Sequence, residues 1–262
     1  MTTVGDIHRF LQTIAPESMA AEWDHVGLLC GRSDREVRRV LIALDPFLDA
    51  CMEAKQLGCQ LLLTHHPAIW ELKAVSDATE AGRVLLYLIE NGISALNAHT
   101  NLDHAPGGVN DCLAACLGLK HTEVLDPIGT DAQGRPYGLL RGGELDEMCA
   151  DAFAAHVKAA LSCAGLRYVD GGRPITRVAV GGGSCSSELY RVAALGYDAF
   201  VTADVKYNGF FDARALGLTL VDAGHFQTEN PVCAYLAADL RISFPEITVF
   251  VSKVHRDCIK FA

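Results

Sequence analysis

Residues 35–67 read REVRRVLIALDPFLDACMEAKQLGCQLLLTHHP. Residues 40–44 are a short aliphatic run, read as a strand. Asp45 or Pro46 opens a helix, Gly58 closes it, and residues 60–63 form a second strand. This spacing is that of a βαβ unit, whose parallel strands are buried on both faces and so read as unbroken apolar runs. A third round follows, with a helix over 80–91, a stop at Gly92 and a strand over 93–97. The rhythm returns with strands over 175–180, 199–202 and 218–222. Helices over 186–195 and 209–216 separate them, each ended by a glycine. Strands alternating with helices in this way predict an α/β fold.

The middle of the chain differs. Residues 129–143, GTDAQGRPYGLLRGG, are rich in glycine and turn residues, and 144–163 read as a helix. The expected division is one α/β domain over 1–125 plus about 215–262, and a second over about 126–214.

Composition narrows the function. The chain has 262 residues, half of them hydrophobic, and a net charge of −10. That balance argues against general binding to nucleic acid or an anionic membrane. No apolar run is long enough to span a bilayer. Asp6, His8 and Arg9 interrupt the N-terminal stretch where a signal peptide would be apolar. The ten cysteines are scattered without a CxxC pair, which reads as a reduced, cytoplasmic protein. Cys112 and Cys116, one helical turn apart, read as small core residues.

Three polar clusters follow three apolar strands: His65 and His66 after LLLT, His99 and Asp103 after ISALNA, His225 and Glu229 after LVDAG. Ligands of parallel sheets bind beyond the carboxyl ends of the strands, where these clusters lie. In the last two, a spacing of four puts imidazole and carboxylate on one face of a helical turn. Imidazoles and carboxylates without thiolates suit zinc, iron, manganese or nickel. The candidate ligands of a metal pair are His65, His66, Asp103, His225 and Glu229. Two four-coordinate ions need more contacts than five residues supply, and water in the remaining positions marks a catalytic site. His99 orients a ligand, acts as acid or base, or makes an ordinary hydrogen bond. Asp45 either supports a ligand or caps the helix. Residues 181–184 are expected to form a tight strand-to-helix turn rather than a phosphate cradle, and Trp23 is expected in the core in preference to the pocket lining. Lys206 and Tyr207 are candidates to meet substrate. His8, His104, His121, His156 and His255 read as surface or local hydrogen-bonding residues.

HHP after a strand, HTNLDHAPGGVND (99–111) and GHFQTE (224–229) form a set, supported by EWDHVGL (22–28) and TADVKY (202–207). In their order and spacing, over residues 6 to 255, the chain resembles the Nif-three-like dinuclear-metal family, whose bacterial members are often named GTP cyclohydrolase 1 type 2 homologues. The resemblance implies two divalent ions per chain on His65, His66, Asp103, His225 and Glu229. It implies two facing α/β domains with mainly parallel sheets, the metal site in the cleft between them, and a homohexameric ring. The length matches relatives that lack an inserted domain.

The implied activity is a hydrolase of a nucleotide-like small molecule: metal-activated water opens the guanine imidazole ring of GTP, releasing formate and dihydroneopterin triphosphate. The alternatives are a two-metal phosphoesterase and a metal-binding or interaction protein without turnover. Two departures from the family pattern are Asn208, where relatives usually carry His, and Cys185, where they often carry Gly. Neither is a candidate ligand, but a missing pocket histidine bears on proton transfer.

Overall fold

The computed structural model describes residues 1–262. In chain order the elements are α1 Val4–Ile14, β1 Gly27–Cys30, β2 Arg39–Ala43, α2 Leu48–Gln56, β3 Leu61–Thr64, α3 Glu80–Glu90, β4 Ser94–Asn97 and α4 Thr100–His104. Then come α5 Val109–Cys116, β5 Lys120–Leu125, β6 Gly129–Thr130, β7 Pro136–Tyr137, β8 Leu140–Met148, α6 Ala150–Ala160, β9 Arg167–Val169 and β10 Ile175–Val180. The last are α7 Leu189–Ala194, β11 Ala199–Thr202, α8 Tyr207–Ala215, β12 Thr219–Asp222, α9 His225–Glu229, α10 Pro231–Ser243 and β13 Thr248–Val251. No helix is long and apolar enough to cross a membrane.

The chain forms two compact units. The first comprises residues 1–105 and 232–256, the second 106–231 and 257–262. The expected limits near 125 and 215 fall at the ends of β5 and α8. Both elements belong to the second unit, because β5 pairs with β8 and α8 packs on β12 and β9.

In the first unit the sheet runs β1-β4-β3-β2-β13. Its β13, β2, β3 and β4 are parallel, and only β1 is antiparallel. Every residue of β3 and β4 is buried, as the apolar runs predicted. On one face Leu41, Leu62 and Ala95 pack with Ala50 and Cys51 of α2 and Val84, Leu85 and Leu88 of α3. Thr3 and Asp6 close a capping box at the start of α1, which satisfies two otherwise open N–H groups.

In the second unit the sheet runs β5-β8-β10-β11-β12-β9. It is parallel at its centre, β10 to β12, and antiparallel towards both edges. The helix expected over 144–163 is corrected. Residues 144–148 finish β8, which pairs with β5 on one side and β10 on the other, and only 150–160 are helical. Arg141 on β8 is the largest fully buried side chain, 1% exposed. It donates Nε to Asp111 Oδ1 (2.9 Å) and Nη2 to Asp111 Oδ2 (3.0 Å), with Nη1 on the Gly138 carbonyl (2.7 Å). A buried guanidinium is tolerable because the fork is matched two-for-two by a carboxylate.

Candidate metal centre

Parallel register aligns the ends of three strands in the first unit. Ala43 pairs with Thr64, and Thr64 with Asn97. Asp45, His65 with His66, and His99 therefore emerge from adjacent strands at one carboxyl edge. The three imidazoles crowd together, with ring centroids at 4.9 Å for His65 and His66, 5.1 Å for His65 and His99, and 5.5 Å for His66 and His99. One ring nitrogen from each lies within 4.8 Å of the others, a group able to hold a metal ion. Asp103, one turn into α4, faces His65 Nε2 with Oδ1 at 3.6 Å.

Each ring is pinned from behind. His65 Nδ1 donates to the Ala98 carbonyl (2.9 Å), His66 Nδ1 to Asp45 Oδ1 (2.6 Å) and His99 Nδ1 to Asp24 Oδ2 (2.9 Å). A carbonyl can only accept, so His65 carries its proton on Nδ1 and presents the Nε2 lone pair. Burial acts most strongly on Asp45 and raises its carboxyl, but hydrogen bonds from His255 and His66 outweigh it and hold the group well below the usual range. Asp24 behaves alike: burial raises it, while hydrogen bonds from His99 and Thr100 prevail and hold it low. Both are thus carboxylates, accepting from Nδ1 and turning Nε2 forward. An imidazole held by an oxygen at Nδ1, with Nε2 presented, is the ordinary state of a metal-ligating histidine.

The second unit repeats the device. Val180 pairs with Val201, and Thr202 with Asp222. Beyond these aligned ends lie the 181–184 turn, Asp204 and α9. His225 Nδ1 donates to Asp204 Oδ2 (2.7 Å), and His225 Nε2 lies 3.0 Å from Glu229 Oε2. Asp204 holds a left-handed backbone, φ 53°, a cost met where geometry around a site demands it.

The 181–184 turn is a tight turn and no phosphate cradle, because the N–H groups of its three glycines are already used. Gly181 donates to the Val201 carbonyl, Gly182 to Asn110 Oδ1 and Gly183 to Thr228 Oγ1. Gly183 serves another purpose. Its φ is +61°, and a Cβ there would stand 1.9 Å from Glu229 Oε1. Gly183→Ala is therefore expected to push Glu229 out of place, in addition to the cost of about 1–2 kcal/mol that a left-handed backbone imposes on a residue with a side chain. The check is metal content by elemental analysis beside a thermal melt. Content should fall by half or more while the melt moves only a few degrees.

The donor set of this chain fits a metal. It comprises oriented imidazoles and carboxylates at the carboxyl edge, without cysteine. Asp45 turns out to be a support and not a cap, since Phe47 occupies the α2 N-cap. His255 is buried and donates Nε2 to the same Asp45 (2.8 Å). Trp23, expected in the core, is 63% exposed. Lys206 is exposed at the N-cap of α8, and the exposed Tyr207 packs its ring on Phe211. Asp24 and Asp204 escape a reading by residue type, although both stand in quoted motifs, EWDHVGL and TADVKY.

Two sets of aligned strand ends, one with three pinned histidines and one with His225 alone, each beside carboxylates, place the chain in a class of α/β proteins able to hold metal. The Duf34/NIF3 (NGG1p interacting factor 3) family model matches residues 2–258, and the chain belongs to that family. A Streptomyces coelicolor protein named GTP cyclohydrolase 1 type 2 homolog is 39% identical, over 92% of this chain and 86% of its own. A Clostridium perfringens protein of the same name is 31% identical, over 98% and 99%. Among solved structures, a Bacillus cereus protein related to NIF3 superposes with a TM-score of 0.91 at 27% identity, covering 100% of this chain and 99% of that one.

Proposed function

We propose that the chain binds two divalent metal ions through His65, His66, Asp103, His225 and Glu229 and hydrolyses a nucleotide-like small molecule in the manner of a GTP cyclohydrolase. The observation that carries the reading is the shared orientation of the histidines, each held at Nδ1 by a backbone or carboxylate oxygen. The name of the relatives supports the substrate class. When bound, such ions supply Lewis acidity and lower the pKa of water. His99, held by Asp24, is the residue placed to take and return a proton at Nε2. Asp24 accepts at Nδ1 and so fixes which ring nitrogen faces forward.

The test is turnover by purified, metal-loaded protein against a panel of nucleotides. Formate release from GTP supports the reading. Phosphate release instead makes the protein a two-metal phosphoesterase, and no product at full metal content makes it a metal-handling protein. We further propose a cytoplasmic homohexamer. The ten cysteines are all free thiols, which suits a reducing compartment, and the ring follows from the family resemblance. Light scattering on a sizing column should give about 169 kDa for six chains of 28.1 kDa, and a stable monomer would refute the ring.

A further inference from the structure

Trp23 and Trp70 are the chain's two tryptophans, and both are more than half exposed. They come from separate segments of the first unit, yet their rings lie within 18° of parallel with centroids 6.4 Å apart. His99 stands edge-on to both, at 6.0 Å from Trp23 and 5.1 Å from Trp70. His99 also stands against the rings of His65 and His66. The largest apolar side chains open to water therefore lie one imidazole away from candidate metal ligands. Phe153 and Phe200, by contrast, are fully buried. A cavity of about 530 Å³ in the same unit is lined by Glu22, Asp24 and Ile69, chain neighbours of the indoles, while the indoles themselves stand outside its lining. Glu22 is exposed there.

We propose that Trp23 and Trp70 form a stacking platform beside His99 for a neutral, planar, nitrogen-containing bicyclic ring. Flat indole faces held by their neighbours bind a flat π-system with little ordering cost. Every nucleobase offers such a face, so the platform selects ring shape rather than the pattern of substituents. Glu22, exposed beside Trp23 and along the cavity, favours a ring that donates N–H groups and repels an anionic one. A phosphate tail would therefore extend away from this wall. The inference deepens the proposed function by naming what holds the substrate's ring, and it rests on the reading that the substrate is nucleotide-like.

The test uses binding alone. The full chain, dialysed free of metal, is titrated with guanosine, with ribose as the non-planar control, and indole fluorescence is followed. Saturable quenching by guanosine and none by ribose is expected. Trp70→Leu and Trp23→Leu each leave one reporter, and each should weaken guanosine binding about tenfold, while Trp70→Phe retains most of it. Absence of saturable quenching overturns the proposal, as does unchanged affinity in both leucine variants. A Trp70→Leu chain that binds guanosine normally but changes size on a sizing column shows a contact between copies, which also overturns it. If quenching is intact while the nucleotide panel yields no product, the platform stands and the hydrolase reading falls.

Discussion

His65→Ala is expected to deplete chiefly one of two metal ions, whereas Glu229→Gln depletes both. An imidazole offers one nitrogen to metal, while a carboxylate offers two oxygens and can bridge. Glu229 is buried, lies one helical turn from His225, and has its carboxylate pressed against the side-chain-free Gly183. The amide that replaces the carboxylate in Glu229→Gln keeps the shape and loses the anion, which weakens bridging. Elemental analysis of gently purified protein should find close to two transition metals per wild-type chain, about one in His65→Ala and few in Glu229→Gln. No metal in the wild type after reconstitution with zinc, manganese and iron would defeat the site. Total loss in His65→Ala with two ions kept in Glu229→Gln would reverse the bridging assignment. Both variants should keep the wild-type circular dichroism, because neither residue belongs to an apolar core cluster.

The second large effect lies away from the metal ligands. Asp111→Ala should destabilise the second unit by about 3 kcal/mol, because it removes the carboxylate that matches the buried Arg141 guanidinium. The figure sits at the low end for a broken buried pair, since the Asp111 side chain is 31% exposed. Asp111 also accepts from Gly107 N–H (2.7 Å) just before α5, a second loss in the same variant. A thermal melt should shift by about 6–12 °C, given roughly 2–4 °C per kcal/mol for a chain of this size. Arg141→Met should cost less than Asp111→Ala, because a partly exposed carboxylate can be hydrated while a buried guanidinium cannot. A melt shifted by less than about 2 °C in Asp111→Ala would show that the guanidinium is satisfied without it.

The parts of the molecule legible in the sequence are those where one residue type has one physical outcome. Leu61–Thr64 and Thr219–Asp222 are buried on both faces, so their aliphatic residues stand adjacent, without polar alternation, and their ends point to the ligand edge. The histidines and carboxylates after them are visible for that reason. Leu140–Met148 reads falsely because its first half is buried and its second half carries Glu144, Asp146 and Glu147, a pattern with neither period. The anchors of the histidines are invisible to local reading. Asp24 lies 75 residues from His99 and Asp204 lies 21 from His225, and only folding reveals such pairings. Trp23 shows the opposite failure: a large apolar side chain usually belongs inside, and here it remains outside beside a cluster of polar rings.

The first unit is assembled from both ends of the chain, and this has a consequence for synthesis. β13 completes the sheet beside β2, and His255 reaches Asp45 across 210 positions. On the ribosome, the last strand of the second unit's sheet, β12, emerges before β13 does. At about 5–20 residues per second, β2 waits roughly ten to forty seconds for its neighbour. During that interval its open edge is a template for stray strands and a natural client for a nascent-chain chaperone. The brace behind His66 likewise acquires its last member only when translation is nearly finished, so a truncated product would lack it.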